Sequence, residues 1–148
     1  MSYKEKFSPT DEFIGAFDSI MNKINIGEET ISKFTGALSV SAVTSFELAI
    51  KEILIEYASN KHPDFGNFVQ QYLCRLNGRI KLRDLKEEIK KYKPALAEDF
   101  EKELINIEKS HIGIRSAYQN LIENRHTYVH GNHINLTYEE CKTDYISS

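Results

Sequence analysis

The sequence predicts an all-α protein, a helical bundle built on two long helices. Over long stretches, apolar residues recur at every third or fourth position, which is the spacing of one face of an α-helix. The alternation of apolar and polar residues that marks strands is nearly absent. The three prolines and seven glycines fall mostly where a helix is expected to begin or end. A chain of 148 residues can bury one continuous core, so we expect residues 1–148 to form a single helical domain.

The first half of the chain is predicted to hold a long helix between two shorter ones. Ser8 precedes a proline and several acidic residues, and this order is typical of a helix start with Ser8 as its cap. The first helix should then run from residue 8 to about residue 24. Helical spacing continues from residue 28 to about residue 57, and Gly36 is tolerated inside this first long helix. Residues 62–78 should form a shorter helix closed by an Asn–Gly pair.

The second half of the chain is predicted to hold four more helices. Residues 81–92 and 94–109 each show helical spacing, and the proline at position 94 cannot continue the helix before it. Residues 112–130 form the second long helix, with Gly131 as its expected C-terminal cap. Residues 136–146 open with a threonine and a glutamate at the spacing of a capping box, so a last helix should begin there.

Composition and charge indicate a soluble protein of the cytoplasm. The chain has 41% hydrophobic residues, 28% charged residues and a net charge of −3, which is ordinary for a globular domain. No apolar run approaches the roughly 20 residues of a membrane helix, and the N-terminus lacks the apolar core of a secretory signal. Cys74 and Cys141 are therefore expected to be reduced thiols. Residues 75–93 carry eight basic and three acidic side chains; they could attract a phosphate backbone, but we favour a solvated helix face.

Ionisable residues concentrate at the end of the second long helix. On a helical wheel, Arg125 falls in the middle of an apolar stripe, and His126 and His130 lie one turn apart along its edge. An arginine on such a stripe is costly unless it is paired or borders a wet cleft. A lone arginine is usually explained by snorkelling or by a structural ion pair, but two neighbouring histidines favour a functional site. The stripe, which should face the core, consists of Ile114, Tyr118, Leu121, Ile122 and Val129.

Glu47 is a candidate partner for this arginine. It lies on the first long helix, at the border of the apolar arc between Phe46 and Ile50. If the two long helices pack together, the carboxylate of Glu47 could orient Arg125 through a charge-assisted hydrogen bond. An ordinary glutamate at a helix edge explains the position equally well.

Residues 125–130, RHTYVH, resemble the motif of HEPN domains (higher eukaryotes and prokaryotes nucleotide-binding). That motif has an arginine, a polar residue, three variable residues and a histidine. The glycine after the motif and the helix before it are also similar to the family. Residues 44–58, TSFELAIKEILIEYA, resemble the early helix of a branch associated with defence and toxins. The likeness in pattern covers roughly residues 30–140, of which only the motif is specific.

This resemblance implies a HEPN-like domain that forms a homodimer, in which two motif helices meet to make one RNA-cutting cleft. It implies a metal-independent endoribonuclease of toxin or antiviral type, with RNA as substrate, no cofactor, and an antitoxin or sensor protein as a further partner. Arg125 and His130 would be catalytic, because arginine is a permanent cation for the phosphate and histidine exchanges protons near neutral pH. His130 also lies at the helix C-terminus, which favours its protonated form. His126 and Glu47 would be supporting residues.

Two alternatives stay open at this point. His126, His130 and His133 could ligate a metal together with Cys141 or Glu140, although the helix should end before the third histidine and no established metal-binding motif is present. A HEPN-like module without catalytic activity, which binds a nucleotide or a partner, would keep the same arginine and histidines.

Overall fold

Helices make up the regular structure of the computed structural model, which describes residues 3–74 and 78–148. No strand occurs within these ranges, so the all-α prediction is confirmed. The second helix is much the longest, with 34 residues. In chain order the elements are a 3₁₀ helix (Tyr3–Phe7), α1 (Ser8–Met21), α2 (Glu28–Lys61), α3 (Pro63–Leu73), α4 (Leu82–Tyr92), α5 (Pro94–Ser110), α6 (Ile114–Val129) and α7 (Tyr138–Ser147).

The helix boundaries agree with the sequence to within a few residues, but the predicted cap of α1 is wrong. Phe7, not Ser8, occupies the cap position, and no side chain caps this helix. The 3₁₀ helix leads directly into α1, so the backbone of Phe7 is already helical (φ −87°, ψ −17°), and the Ser8 hydroxyl instead donates to the Glu12 carboxylate at 2.9 Å. The asparagine predicted to close the helix at 62–78 lies outside the described residues, as does the start of the basic stretch.

The chain folds into two compact units that α2 connects. The first comprises residues 1–25 and 41–79, and the second comprises residues 26–40 and 80–148. The single domain expected over residues 1–148 stays a prediction.

The first unit is held by the contacts of α1 and α3 with the later part of α2. Thr10 is fully buried, and its hydroxyl shares hydrogen bonds with Ser41 (2.7 Å) and Ser45 (2.8 Å) of α2. Gly66 of α3 lies so close to Ser59 that no side chain would fit. Burial of the Thr10 hydroxyl and its serine partners costs little because each hydroxyl has a hydrogen-bond partner. The apolar core of this unit includes Phe17, Ala42, Val43, Ala49, Ala58, Val69 and Leu73.

The second unit combines the first turns of α2 with α4 to α7. Pro94 separates α4 from α5 because it cannot continue a helix. The buried hydroxyl of Tyr118 donates to the carbonyl of Ile80 at 2.6 Å, and the burial raises the pKa of this phenol. Arg115 reaches from α6 to α5, where two guanidinium nitrogens each lie 3.1 Å from one oxygen of Glu101. These contacts fix α6, the motif helix, against its neighbours.

Helix α7 begins with the capping box that the sequence predicts. The Thr137 hydroxyl accepts from the backbone N–H of Glu140 at 3.2 Å, and the Glu140 carboxylate accepts from the backbone N–H of Thr137 at 2.8 Å. Tyr138, Cys141 and Tyr145 on one face of α7 are buried. The chain therefore returns to the core of the second unit soon after the motif.

Candidate active site at the end of α6

The end of α6 is fixed by a Schellman motif that follows from one glycine. Gly131 has a φ of +74°, a left-handed conformation that glycine adopts without steric cost. Its N–H donates to the carbonyl of Tyr128 at 3.0 Å, and the N–H of Asn132 donates to the carbonyl of Thr127 at 3.1 Å. These two bonds satisfy carbonyls that a helix end otherwise leaves open. The prediction of Gly131 as the C-terminal cap is confirmed, and the last turns of α6 have a defined direction.

Three of the predicted site residues lie together on these last turns. His126 and His130 are exposed, and their rings meet edge to face with centroids 4.3 Å apart. Arg125 is partly exposed. Over residues 3–74 and 78–148, its guanidinium forms no hydrogen bond or ion pair, so its donors are open to a ligand. Cations near a helix C-terminus are favoured by the helix dipole.

The helix face between Arg125 and His130 is open and carries one apolar residue and one histidine. At about 100° per residue, Arg125 and His130 lie about 140° apart around the helix, with Val129 and His126 between them. Val129 is 50% exposed, so the prediction that it faces the core is wrong. Tyr118, Leu121 and Ile122 of the same stripe are buried as expected. The stripe is therefore half-buried at Ile114, buried in its middle and exposed in the last turn of α6, near the arginine.

Glu47, the fourth predicted site residue, belongs to the first unit and has partners there. One carboxylate oxygen lies 2.7 Å from the Lys51 ammonium, one turn along α2. The other accepts from the backbone N–H of Gly78 at 3.1 Å. Both oxygens are thus engaged by groups of that unit, and the bond between Glu47 and Arg125 stays a prediction.

Tyr128 lies within the motif and makes a contact that the sequence did not reveal. A methyl group built on Gly36 of α2 would overlap the Tyr128 ring at three of its carbon atoms. Gly36 therefore serves close packing, which is a common reason for a glycine inside a helix. The contact sets the position of Tyr128 against the first turns of α2.

Cys141 and Glu140, the two non-histidine residues of the alternative metal site, are engaged elsewhere. The Cys141 thiol is buried and lies 3.9 Å from the carbonyl of Thr35. Burial raises the pKa of this thiol to about 12, which disfavours the thiolate that a metal requires. The Glu140 carboxylate caps α7. Within the part of the chain that the structure describes, no three His, Cys, Asp or Glu residues lie close enough to hold a metal ion.

A chain whose described residues form helices and no strand, with an arginine and a histidine five positions apart at the end of a core helix, has the form of a HEPN domain. Comparison with known families supports this: the family described as RiboL-PSP-HEPN matches residues 11–148, and the chain belongs to that family. The HEPN resemblance noted in the sequence is thereby confirmed. No curated protein and no solved structure matches the chain. Among the described residues, no helix is long and apolar enough to cross a membrane.

Proposed function

We propose that this protein is a metal-independent endoribonuclease whose cleft forms between two copies of the chain. The observation that carries the proposal is the cluster on the last turns of α6. There, the open guanidinium of Arg125 lies beside two exposed histidines in ring contact. HEPN domains are frequently ribonucleases, which agrees with the family of this chain.

The cluster holds the groups that RNA cleavage needs. RNA carries its own nucleophile, the 2′-hydroxyl, so the protein supplies proton transfer and positive charge. A base removes the 2′-hydroxyl proton, the 2′-oxygen attacks phosphorus, and the P–O5′ bond breaks while an acid protonates the 5′-oxygen. The products are a 2′,3′-cyclic phosphate and a 5′-hydroxyl. Arg125 stabilises the charge on the phosphorane, His130 moves protons, and His126 supports His130 through their ring contact.

A second copy of the chain explains the geometry of the motif. Arg125 and His130 lie about 140° apart on one helix, an arrangement that suits a phosphate held between two copies of the motif. When two α6 ends meet, the arginine of one copy and the histidine of the other can flank the same phosphate. The exposed Val129 between them offers apolar surface for that contact. We therefore propose a homodimer that places two such pairs in one cleft.

The biological setting is part of the same proposal. A nuclease with no cofactor requirement would act as a toxin or an antiviral effector in the cytoplasm, under the control of an antitoxin or sensor protein. The alternative is a HEPN module that binds RNA, a nucleotide or a partner at the same cluster without cutting. Cleavage in the presence of a chelator separates the two.

The test is incubation of the purified protein with RNA in excess EDTA, followed by analysis of the new ends. His130→Ala should lower the rate about 10²–10⁴-fold, as for loss of a general acid or base. Arg125→Ala should lower it about 10²–10³-fold, as for loss of one oxyanion donor. Arg125→Lys should not restore the rate because an ammonium lacks the planar fork. The matched control is His111→Ala, which removes an exposed histidine outside α6.

Two outcomes would refute the nuclease. RNA cutting that needs a divalent ion contradicts the chemistry, and cutting that His130→Ala leaves unchanged contradicts the assignment. The shared cleft has its own test in mixed dimers of Arg125→Ala with His130→Ala chains. If the pair is built from two copies, a mixed dimer holds one intact pair and should regain part of the activity. If each copy works alone, mixing should restore nothing.

A further inference from the structure

A cleft of about 420 Å³ lies in the second unit, beside the end of α6. Its volume is within the range of about 300–1,000 Å³ that is usual for small-molecule sites. One wall is the first turns of α2, and the other is the last turn of α6 with the loop towards α7. The lining residues are Glu29, Ser32, Lys33, Tyr128, Gly131, Asn132, His133 and Ile134.

The lining combines an aromatic wall with several polar groups that no described residue engages. Tyr128 and the buried Ile134 supply the apolar surface. Within residues 3–74 and 78–148, the Ser32 hydroxyl, the side-chain amide of Asn132 and the His133 imidazole form no hydrogen bonds. An aromatic ring beside unused donors and acceptors is how proteins hold unstacked bases of single-stranded RNA, by stacking and by hydrogen bonds to the base edge.

The charges in the cleft suit a neutral group. Its lysine and its glutamate neutralise each other, since the Lys33 ammonium lies 2.9 Å from the Glu29 carboxylate. This ion pair raises the pKa of Lys33 and lowers the pKa of Glu29, so both stay charged at neutral pH. The neighbouring end of α6 carries Arg125 without an acidic partner among the described residues. A phosphate therefore belongs at Arg125, and an uncharged base belongs in the cleft.

The distance between Arg125 and the cleft also suits the phosphate and the base of one nucleotide. Tyr128 follows Arg125 by three residues, so the two side chains are neighbours on the helix surface, with Cβ atoms about 5–6 Å apart. This separation is comparable to that between the base and the phosphate of one nucleotide. The contact with Gly36 holds the Tyr128 ring in place, so this wall of the cleft is preformed.

We propose that this cleft binds one nucleobase of the RNA, the one next to the phosphate at Arg125, and so sets which sequence is cut. The proposal rests on the ribonuclease function above and deepens it. Tyr128 stacks on the base, and Asn132 and Ser32 contact its edge. An asparagine amide offers one donor and one acceptor side by side, which is the basis of base recognition by this side chain.

Sequencing of the 5′-hydroxyl ends from a randomised RNA measures the base preference at each position near the cut. The wild-type protein should prefer one base or base class next to the scissile phosphate. Asn132→Ala and Ser32→Ala should each reduce that preference about threefold to tenfold, as expected for one lost hydrogen bond. The matched control is Asn135→Ala, an exposed asparagine of the same loop that does not line the cleft. If the two cleft variants keep the wild-type preference, the inference is wrong while the nuclease stands.

A binding experiment separates the inference from the nuclease. The probe is a short RNA in which hydrogen replaces the attacking 2′-hydroxyl, so that it binds without being cut. In NMR titrations, the amide signals of Gly131 and Asn132 should shift with a size that depends on the base, and Asn132→Ala should weaken binding about threefold to tenfold. If this occurs while no natural RNA is cut, the cleft is a base site and the nuclease proposal fails. If the cleft signals do not respond to the probe, the inference is overturned whether or not RNA is cut.

Discussion

A methyl group added at Gly36 should collide with the side chain of Tyr128, a residue of the motif. In a helix interior, alanine is about 0.8–1.0 kcal/mol more favourable than glycine. At this position, however, the methyl overlaps the Tyr128 ring, and overpacking of this kind costs about 1–3 kcal/mol. The two effects oppose each other, so Gly36→Ala should lower the free energy of unfolding by about 0–2 kcal/mol. The protein can relieve the overlap only by moving Tyr128 or shifting α2.

A double-mutant cycle isolates this contact from helix propensity. In a Tyr128→Ala background the ring is gone, so Gly36→Ala should stabilise by about 1 kcal/mol. The effect of the methyl should thus differ between the two backgrounds by about 1–3 kcal/mol, the overpacking cost itself. The control is Gly15→Ala in α1, where nothing lies within 4 Å of the added carbon. It should stabilise by about 1 kcal/mol in both backgrounds.

The assay is unfolding in urea, with the free energies compared at equal slope. If Gly36→Ala stabilises the wild-type protein as much as it stabilises the Tyr128→Ala variant, the two residues are not in contact. The argument for a preformed wall of the cleft would then fail as well.

Two further predictions concern α7. Thr137→Ala should lower the free energy of unfolding by about 0.5–2 kcal/mol, as for a lost N-cap, whereas Thr143→Ala, at an exposed position inside the helix, should not. The hydrogen bond from the backbone N–H of Thr137 lowers the pKa of Glu140. The stabilisation by this bond is therefore present above the ordinary pKa range of a glutamate and is lost as pH falls through the lowered pKa of Glu140. Thermal unfolding measured from pH 7 to pH 3 checks both the effect of Thr137→Ala and this dependence on pH. Asp144 lies in the last turn of α7, and burial raises its pKa, so its ionised form disfavours folding at neutral pH. Asp144→Asn should stabilise by about 0.3–1 kcal/mol at pH 7, and the gain should shrink as pH falls to about 4; an equal gain at both pH values would contradict the charge effect.

Local patterns carried most of what the sequence could predict. The helices, the break at Pro94 and the capping box at Thr137 each depend on residues within a few positions of one another, and all three are confirmed. The prediction of Ser8 as the cap of α1 was wrong because the 3₁₀ helix before it already supplies helical backbone. The prediction that Val129 faces the core was wrong for a different reason. A helical wheel gives the direction in which a residue points, but not how far along the helix axis other elements cover the helix.

The sequence could likewise predict one part of the candidate site, the cluster on α6, but not the cleft beside it. The cluster of Arg125, His126 and His130 lies within six residues, so the sequence could place it at one helix end. The cleft could not be predicted, because its two walls come from residues 29–33 and 128–134. Only folding brings these ranges together. A local signal for Glu47 did exist, since Lys51 lies one turn further along α2 and pairs with it.

Under the proposed function, base recognition and bond cleavage have separate structural origins, because the cleft depends on the contact between Gly36 and Tyr128. The glycine allows α2 to approach α6 at Tyr128, and the first turns of α2 then contribute Ser32 to the cleft. Arg125 and His130 depend instead on the Schellman motif and on the buried face of α6. A change at Gly36 should therefore alter which RNA is cut while leaving the groups that move protons and charge in place. If the protein cleaves RNA as proposed, variation at the start of α2 should change its specificity without changing the reaction.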